Sequence, residues 1–492
     1  MKIGLKHYYG DLHTHTGFSD GRGTPKEAFE WAKASKMGDF LAVSDHEGSI
    51  TMQKWMETLK AADEVTDETF VGIASYESGY SEEFTDEDGV AVVNGGELNL
   101  FGTDALLVEA GYPTDFKDFY EKLRKHKGTI AFYNHPQEAS WPTDKIWNAY
   151  DEFGVYEDGI DDYIVGMETS NETSAYNHIH ELVYTIALDK GWKFAPYATT
   201  DTHSGNWLSG FENRTVVLAE SLTRAHIIEA FRKRHVYAVQ DKNFQVEFAV
   251  NGRIMGSILS AKDHTYHIEV EVLHKEPHEG GAFKRLEIIS DYGQVVASCE
   301  RKDFHMKWNV TLESETARYF FLRVVNEEGK KAWSAPVWTG RKPDEKVEAV
   351  KGRRIRPEAM KVIYTSSEKD SCKACEILNP DTKTYWESEE TSGEIIIDLG
   401  EEKELIGIGY RKNYIAYEDK EALAKLMDGY CYEVSKEEQE GYEVVASGRV
   451  RNYGSEHYRS FEAIKARYVK IKALNAIEEG IVAIGNIYIY EM

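Results

Sequence analysis

The stretch YYGDLHTHTGFSDG, residues 8–21, decides how the first half of the chain is read. It places His13 and His15 one residue apart and Asp20 five positions later, amid Gly, Thr and Ser, where a first strand runs into its loop. Side chains of an extended segment repeat every two residues, so His13 and His15 project to the same side. An H-x-H pair alone is more often a surface feature than a site. Its meaning depends on what other segments bring to it.

Working outward, apolar runs that read as strands repeatedly end in ligand-type residues. FLAVSDHE reaches Asp45 and His46, FVGIASYESG reaches Glu77, and TIAFYNHPQ reaches His135. YIVGMETSNE reaches Glu168 and Asn171, and WKFAPYATTDTH reaches Asp201 and His203. Between these runs lie helical patterns. In GTPKEAFEWAKASK, Thr24 reads as the N-cap, Pro25 as the first helical residue and Glu27 as the capping-box partner. SLTRAHIIEAFRKRHVYAV closes the region with an amphipathic helix and a strand. Alternating strands and helices over residues 1–240 predict an α/β domain. In a barrel of parallel strands the C-terminal strand ends converge on one face.

Each element also has an ordinary explanation. SDH fits a loop with Asp as helix cap, NHP fits a turn, and a loop carboxylate is commonly just solvated. Their joint occurrence at strand ends is what favours a site. Imidazole and carboxylate donors suit zinc, manganese or iron. His13, His15, Asp20, His46, Glu77, His135, Glu168, Asp201 and His203 exceed what one tetrahedral ion can use. The surplus predicts two or three divalent ions, with a carboxylate bridging a pair. His178 and His180 fall in a helical pattern and are read as structural, and the lone CKAC at Cys372–Cys375 lacks the second half of a zinc knuckle.

Bulk properties narrow the field. The chain has 492 residues with 41% hydrophobic content, enough for sizeable cores. Its formal net charge of -27 argues against nonspecific binding to nucleic acid or anionic membranes. Four cysteines do not form a disulfide framework, and no apolar run is long enough to span a bilayer. Cytoplasm is the expected location.

After residue 240 the periodicity changes to two. FQVEFAVNG, YHIEVEVLH, KRLEIISDYG and YFFLRVVNEEGKKAWSAPVWTG predict an antiparallel β-sandwich over 241–342. RKPDEKVEAVKGRRIRPE is a charged linker, and 353–492 reads as a second all-β domain.

The ordered set DLHTHTGFSDG, SDHE, the Glu77 segment, NHP and TDTH resembles the PHP family, named for polymerase and histidinol phosphatase. The likeness is to its stand-alone metal-dependent phosphoesterases, some members of which are carbamate hydrolases. It implies a distorted (β/α)7 barrel with a two- or three-metal centre. His13, His15 and His46 would be ligands, Glu77 the bridging carboxylate, and His135, Asp201 and His203 would complete the core. Where related members often carry GHxNV, this chain reads GGELNLFG, so Glu97 stands at the expected histidine. The tail, from DTKTYWESEETSGEIIIDLG to NIYIYEM, is similar to discoidin, or factor 5/8 type C, jelly-roll domains, which often bind glycans. Of its aromatics, Tyr385, Trp386, Tyr414 and Tyr417 fit either sugar stacking or the core, and the core is the commoner fate.

The leading expectation is therefore hydrolysis of a small phosphorylated metabolite or a glycan phosphate by metal-activated water. Asp201, Glu77 and His203 would take the catalytic roles, with Arg22, Arg214 and Asn171 meeting the substrate. Two alternatives stand beside it: amide or carbamate hydrolysis on the same centre, and a non-catalytic carbohydrate-binding protein with a structural barrel.

Overall fold

The computed structural model describes residues 4–85, 91–103, 105–107, 115–136, 146–149, 159–174, 177–342, 350–379, 384–412, 420–450, 456–478 and 480–492. The chain divides into two compact units. One comprises Met1–Glu82, Gly95–Glu138 and Val155–Asp344; the other comprises Glu83–Asn94, Ala139–Gly154 and Glu345–Met492.

The first part of the chain runs β1 (Lys6–Asp11), α1 (Pro25–Ser35), β2 (Phe40–Val43), α2 (Met52–Val65), β3 (Val71–Thr85), β4 (Ala91–Phe101), α3 (Phe116–Lys125) and β5 (Ile130–Tyr133). It continues with β6 (Ile146–Ala149), β7 (Ile164–Asn171), α4 (Asn177–Asp189), β8 (Ala195–Thr199), β9 (Arg214–Ala219), α5 (Arg224–Arg232) and β10 (Val236–Val239). The start of α1 follows its sequence signals: Thr24 caps, Pro25 opens the helix, and Glu27 completes the capping box. Its apolar residues Ala28, Phe29 and Ala32 are buried.

Strands β1, β2 and β3 pair in parallel, and so do β5, β7 and β8. Strand β4 lies between the two trios, antiparallel to β5. On the far side of β1, β9 and then β10 are added antiparallel. Thr215 of β9 donates to the Ala198 carbonyl at 3.0 Å and accepts from its amide at 3.1 Å, so β8 stands beside β9. Strands β2, β5, β7 and β8 are buried throughout, as strands covered on both faces must be.

The expected (β/α)7 barrel is not evident among the described residues. The fold is mostly β, with five α-helices before residue 240. The reason lies in the connections. A parallel crossover needs a dozen or more residues, usually a helix. Strand β3 ends at Thr85 and β4 begins at Ala91, and no helix separates β8 from β9. These strands therefore join the sheet without the β/α repeat.

The strands after residue 240 divide between this sheet and a second one. They are β11 (Phe244–Val250), β12 (Arg253–Ile254), β13 (Thr265–His274), β14 (Phe283–Ser290), β15 (Gln294–Asp303), β16 (His305–Glu313), β17 (Tyr319–Asn326), β18 (Lys331–Ser334) and β19 (Val337–Trp338). Strand β10 pairs with β18, which leads to β17, β14 and β15. A second sheet, ordered β12-β11-β13-β16, packs against them. Along β13, Tyr266, Ile268, Val270 and Val272 are buried in strict alternation. One core cluster includes Val216 and Tyr237 as well as Val246, Val270 and Leu322, so residues 241–342 share the core of the first unit.

In the other unit, β20 (Arg353–Arg354), β21 (Lys361–Thr365), β22 (Trp386–Glu387), β23 (Gly393–Arg411), β24 (Met427–Ser435), β25 (Glu443–Arg449), β26 (Glu456–Ala476), β27 (Ala483–Ile484) and β28 (Asn486–Glu491) form two sheets. The larger is ordered β20-β28-β23-β26-β24-β25, with β21 on β23. Its core is built from Ile395, Ile397, Ile408, Tyr432, Val469 and Ile489 among others. No helix among the described residues is long and apolar enough to cross a membrane.

Gly166 lets β7 lie against β8. A Cβ there would meet Tyr197 Cε2 at 1.7 Å and the Ala195 carbonyl at 2.7 Å. Gly166→Ala is expected to cost about 1–3 kcal/mol through overpacking. An unchanged urea midpoint would show that this contact relaxes freely.

Candidate metal centre

The ligand-type residues stand where the parallel strands run out. His13 and His15 follow β1, His46 follows β2, His135 follows β5, and Asp201 and His203 follow β8. Glu77 and Glu168 lie within β3 and β7, and Glu97 lies within β4. Backbone hydrogen bonds carry the sheet past its formal ends. The Asp201 amide donates to His13 O at 2.9 Å, the His15 amide to Thr202 O at 2.9 Å, and the Glu77 amide to Asp45 O at 3.1 Å. The Asn134 amide donates to Glu97 O at 2.9 Å. These bonds hold the ligand-bearing turns in fixed register. Asp201 itself adopts the left-handed conformation, φ 52°, which Asp tolerates better than most residues.

The side chains converge tightly. His13 Nε2 lies 3.3 Å from Glu77 Oε1 and 3.2 Å from Asp201 Oδ1. His15 Nε2 lies 3.4 Å from Glu77 Oε2 and 3.1 Å from the same Asp201 oxygen. His46 Nδ1 is 3.1 Å from Glu77 Oε2, and His135 Nε2 is 3.2 Å from Glu77 Oε1. On the outer side, Asp20 approaches His46 Nε2 at 3.5 Å and His203 Nε2 at 3.4 Å. Glu97 lies 3.6 Å from His135 and 3.9 Å from His46. Overlapping groups of ligand atoms therefore form around His15–Asp20–His46–His203, His13–His135–Asp201, His13–His15–Glu77 and His46–Glu77–Glu97. The Nε2 atoms of His13 and His15 and Oε2 of Glu77 are buried without a hydrogen-bond partner.

The charges are strongly coupled. Burial opposes charge on His13, yet Asp201, Glu77 and Glu168 hold its imidazole well above the usual range. His46 is likewise opposed by burial, but its bond to Glu77 and the charges of Glu77, Glu97 and Asp20 push it up to about 9. Burial works against Glu77 and Asp201 too, and the histidines, led by His13, hold both well below the carboxylate range. Glu97 behaves differently. Although 42% of its side chain is exposed, the protein around its carboxyl and the charge of Glu77 push it up to about 7.

Other residues named from the sequence take supporting positions. Glu168 faces His13 Nδ1 at 2.8 Å and also accepts from Thr199 Oγ1, the His135 amide and Asn171 Nδ2. Its oxygens are thus occupied in orienting ligands, behind the cluster rather than in it. Asn171 bonds Glu168 at 3.1 Å and reaches Asp201 at 3.5 Å. Arg22 is exposed, two residues beyond Asp20. Arg214 is not placed to meet substrate. It is fully buried and donates to the carbonyls of Met37, Phe211, Asn213 and Leu208.

Sequence reading passed over several residues that set the geometry. Buried Asp45 accepts from Thr16 N at 2.7 Å, Thr16 Oγ1 at 2.6 Å and Ser19 Oγ at 2.7 Å, pinning the loop that carries His15 and Asp20. Asn134 donates to Glu77 and to Asn99 Oδ1. Asp11 accepts from Thr200 Oγ1 and the His13 amide. The adjacency of Asp45 to His46 and of Asn134 to His135 was the available signal.

Residues 362–487 match the F5/8 type C domain. The chain thus ends in a discoidin-like domain, and the matched residues lie outside the ligand cluster. No curated protein matches the chain. Among solved structures, the family 32 CBM of NanJ from Clostridium perfringens in complex with galactose is 17% identical; the match covers 28% of this chain and 98% of that one, with a TM-score of 0.25. CpGH89CBM32-5 from the same organism, in complex with GalNAc-β-1,3-galactose, is 20% identical, with 28% and 99% coverage and a TM-score of 0.25. A fragment of a putative chitobiase from Bacteroides thetaiotaomicron is 14% identical, with 29% and 94% coverage and a TM-score of 0.25. In the discoidin-like domain Trp386 is fully buried and Tyr385 half-buried, while Tyr414 and Tyr417 lie outside the described residues.

Arg214→Lys cannot reproduce a guanidinium's fork of bonds. It is expected to lower stability by about 1–3 kcal/mol, because buried carbonyls lose their donors. A changed KM with unchanged stability would instead return Arg214 to the substrate.

Proposed function

We propose that the ligand cluster of the first unit is the centre of a metal-dependent hydrolase, cleaving the phosphoester of a small metabolite or of a glycan phosphate. The observation that carries this reading is a spacing. Bonds of about 2.0–2.2 Å in a tetrahedral shell leave donor atoms roughly 3.3–3.6 Å apart. The Nε2 and carboxylate oxygens face one another at 3.1 to 3.5 Å, and several are buried without hydrogen-bond partners. Buried donors left in that state would be expensive, and filling the gaps with cations removes the expense. The resemblance of DLHTHTGFSDG, SDHE, NHP and TDTH to the PHP family supports the same assignment.

His15, Asp20, His46 and His203 would hold one ion, and His13, His135 and Asp201 another, with Glu77 positioned between the sets. Two or three ions of the zinc, manganese or iron kind would lower the pKa of water and offset charge developing on a phosphoryl group. Glu168 orients His13 by accepting from Nδ1, which leaves the Nε2 lone pair directed inward. His203 is turned in the same way by its Nδ1 bond to the Asp201 carbonyl at 2.9 Å. Asp201, held anionic between two imidazoles, suits ligation better than proton transfer. Glu97, pushed up to about 7, is the better group to carry a proton near neutral pH.

Elemental analysis of loaded protein is expected to find two to three equivalents of zinc, manganese or iron that depend on this cluster. His13→Ala with His15→Ala should reduce that count and abolish hydrolysis of a nitrophenyl phosphate panel. A metal count that the double variant leaves unchanged, or full turnover by that variant, would sink the proposal. Activity on aryl carbamates alone would keep the centre and change the substrate class.

Metal uptake also has a defined pH dependence. With His46 up at about 9, the metal-free imidazole is protonated below that pH, and an ion must displace the proton. Apparent affinity for the ion that His46 would hold should therefore rise by up to tenfold per pH unit as pH approaches about 9, and level off above it. Calorimetry in buffers of different ionisation enthalpy reads the released protons, and none released would contradict this account.

A second reading, glycan recognition by the discoidin-like domain, is favoured by the F5/8 type C match over 362–487. Two similar solved structures hold galactose or GalNAc-β-1,3-galactose. Titrating the full chain with these two sugars is expected to give saturable binding that survives His13→Ala with His15→Ala. Silence toward both, and toward a wider glycan array, would remove this reading.

A further inference from the structure

A second group of ligand-type side chains lies outside the candidate centre. Asp241, His274 and His278 bring donor atoms within 4.8 Å of one another. Asp241 follows β10, His274 is the last residue of β13, and His278 sits in the turn before β14. The three come from separate stretches of chain that the fold draws together.

His274 is the residue that asks for an explanation. The inward row of β13 is apolar at Tyr266, Ile268, Val270 and Val272, and the next inward position is this histidine. It is 1% exposed, and neither ring nitrogen has a hydrogen-bond partner. Phe244 and Phe283 stand beside its ring at 5.3 and 6.2 Å. A buried imidazole that served only packing would be replaceable by leucine or phenylalanine at no polar cost.

Its neighbours are arranged for coordination. His274 Nε2 lies 3.5 Å from Asp241 Oδ2 without making an aligned hydrogen bond to it, a separation close to a tetrahedral edge at bonds of about 2.1 Å. Asp241 Oδ1 is occupied by the Asn243 amide at 2.9 Å, which turns Oδ2 toward His274. The His278 ring lies 5.0 Å from that of His274, its Nδ1 meets the Glu276 carbonyl at 3.3 Å, and its Nε2 faces Glu328 Oε1 at 3.5 Å. Gly281 permits this approach: a Cβ there would meet His278 Cε1 at 2.7 Å and His274 Nε2 at 3.0 Å. Lys330, 3.7 Å from both Asp241 and Glu328 and 35% exposed, is the cation that an ion would displace.

We propose that Asp241, His274 and His278 bind a divalent zinc-class ion, as a structural staple between the end of β10 and the β13–β14 turn. The ion would tie two separate stretches of chain together away from the candidate centre, so the staple acts on stability and not on hydrolysis.

The test uses the full chain, stripped with a chelator and titrated with zinc. His278→Ala and His274→Gln are each expected to remove one equivalent by elemental analysis, to weaken the corresponding site at least tenfold, and to diminish the zinc-induced rise in Tm. The other equivalents and any hydrolytic activity should be unchanged. His278 has a side chain 44% exposed, so its variant decides the matter if His274→Gln does not fold. In a His13→Ala, His15→Ala background, one equivalent that His278→Ala then removes would support the staple. Zinc counts and affinities identical with and without His278→Ala would overturn it. Failure of the proposed hydrolase centre reads differently: wild-type protein would retain a single equivalent, still lost with His278.

Discussion

One carboxylate oxygen, Oδ1 of Asp201, stands between the Nε2 atoms of His13 and His15 at 3.2 and 3.1 Å. The surrounding structure follows from what that arrangement demands. Two buried imidazoles and a buried carboxylate can be this close only if other groups balance their charge and hold their orientation. Glu77 supplies a second anion to both rings, Glu168 turns His13 from behind, and Asn171 spans Glu168 and Asp201. The outer residues Asp20, His46, His203 and Glu97 then extend the cluster toward solvent.

Such a cluster needs a rigid base, and the sheet provides it. Parallel strands covered on both faces end at nearly the same level, and backbone bonds continue between their turns beyond the last regular pairs. Asp45 and Asp11 anchor the turns from below, each accepting from the hydroxyls and amides of neighbouring loops. A chain of net charge -27 thereby concentrates histidine and carboxylate at one spot. Cations bound there would give an anionic substrate a local reason to approach a surface that otherwise repels it.

The strands after residue 240 show how far pattern reading reaches. Their period-two alternation marked them as antiparallel β-structure, and they are. The pattern carries no information on partners, however. Pairing of β10 with β18 joins β18, β17, β14 and β15 to the sheet that bears the cluster, and β11 and β13 pack into the same core. The same limit applies to the distorted (β/α)7 barrel suggested by resemblance: helices and strands could be counted along the chain, but not the antiparallel additions of β4, β9 and β10. Arg214 is a further case. A loop arginine near TDTH resembles a substrate clamp in sequence, and only its buried contacts with four carbonyls show that it holds the loops together.

By itself, the sequence determined which residue types end the apolar runs, because hydrophobic periodicity and turn residues are local properties. HTH, SDH, NHP and TDTH were legible as ligand-type residues for that reason, and the discoidin-like tail by its resemblance to a known family. Tertiary structure alone decided which of them meet, which stand behind, and what accompanies them. Glu168 and Glu77 are both glutamates within buried strands, yet one orients a ligand and the other faces three histidines besides His13. Asp241, His274 and His278 carried no joint signal, since their approach depends on strand register, a turn and a glycine that leaves room. Distances between residues far apart in sequence are set by packing, and packing is not written in any short stretch.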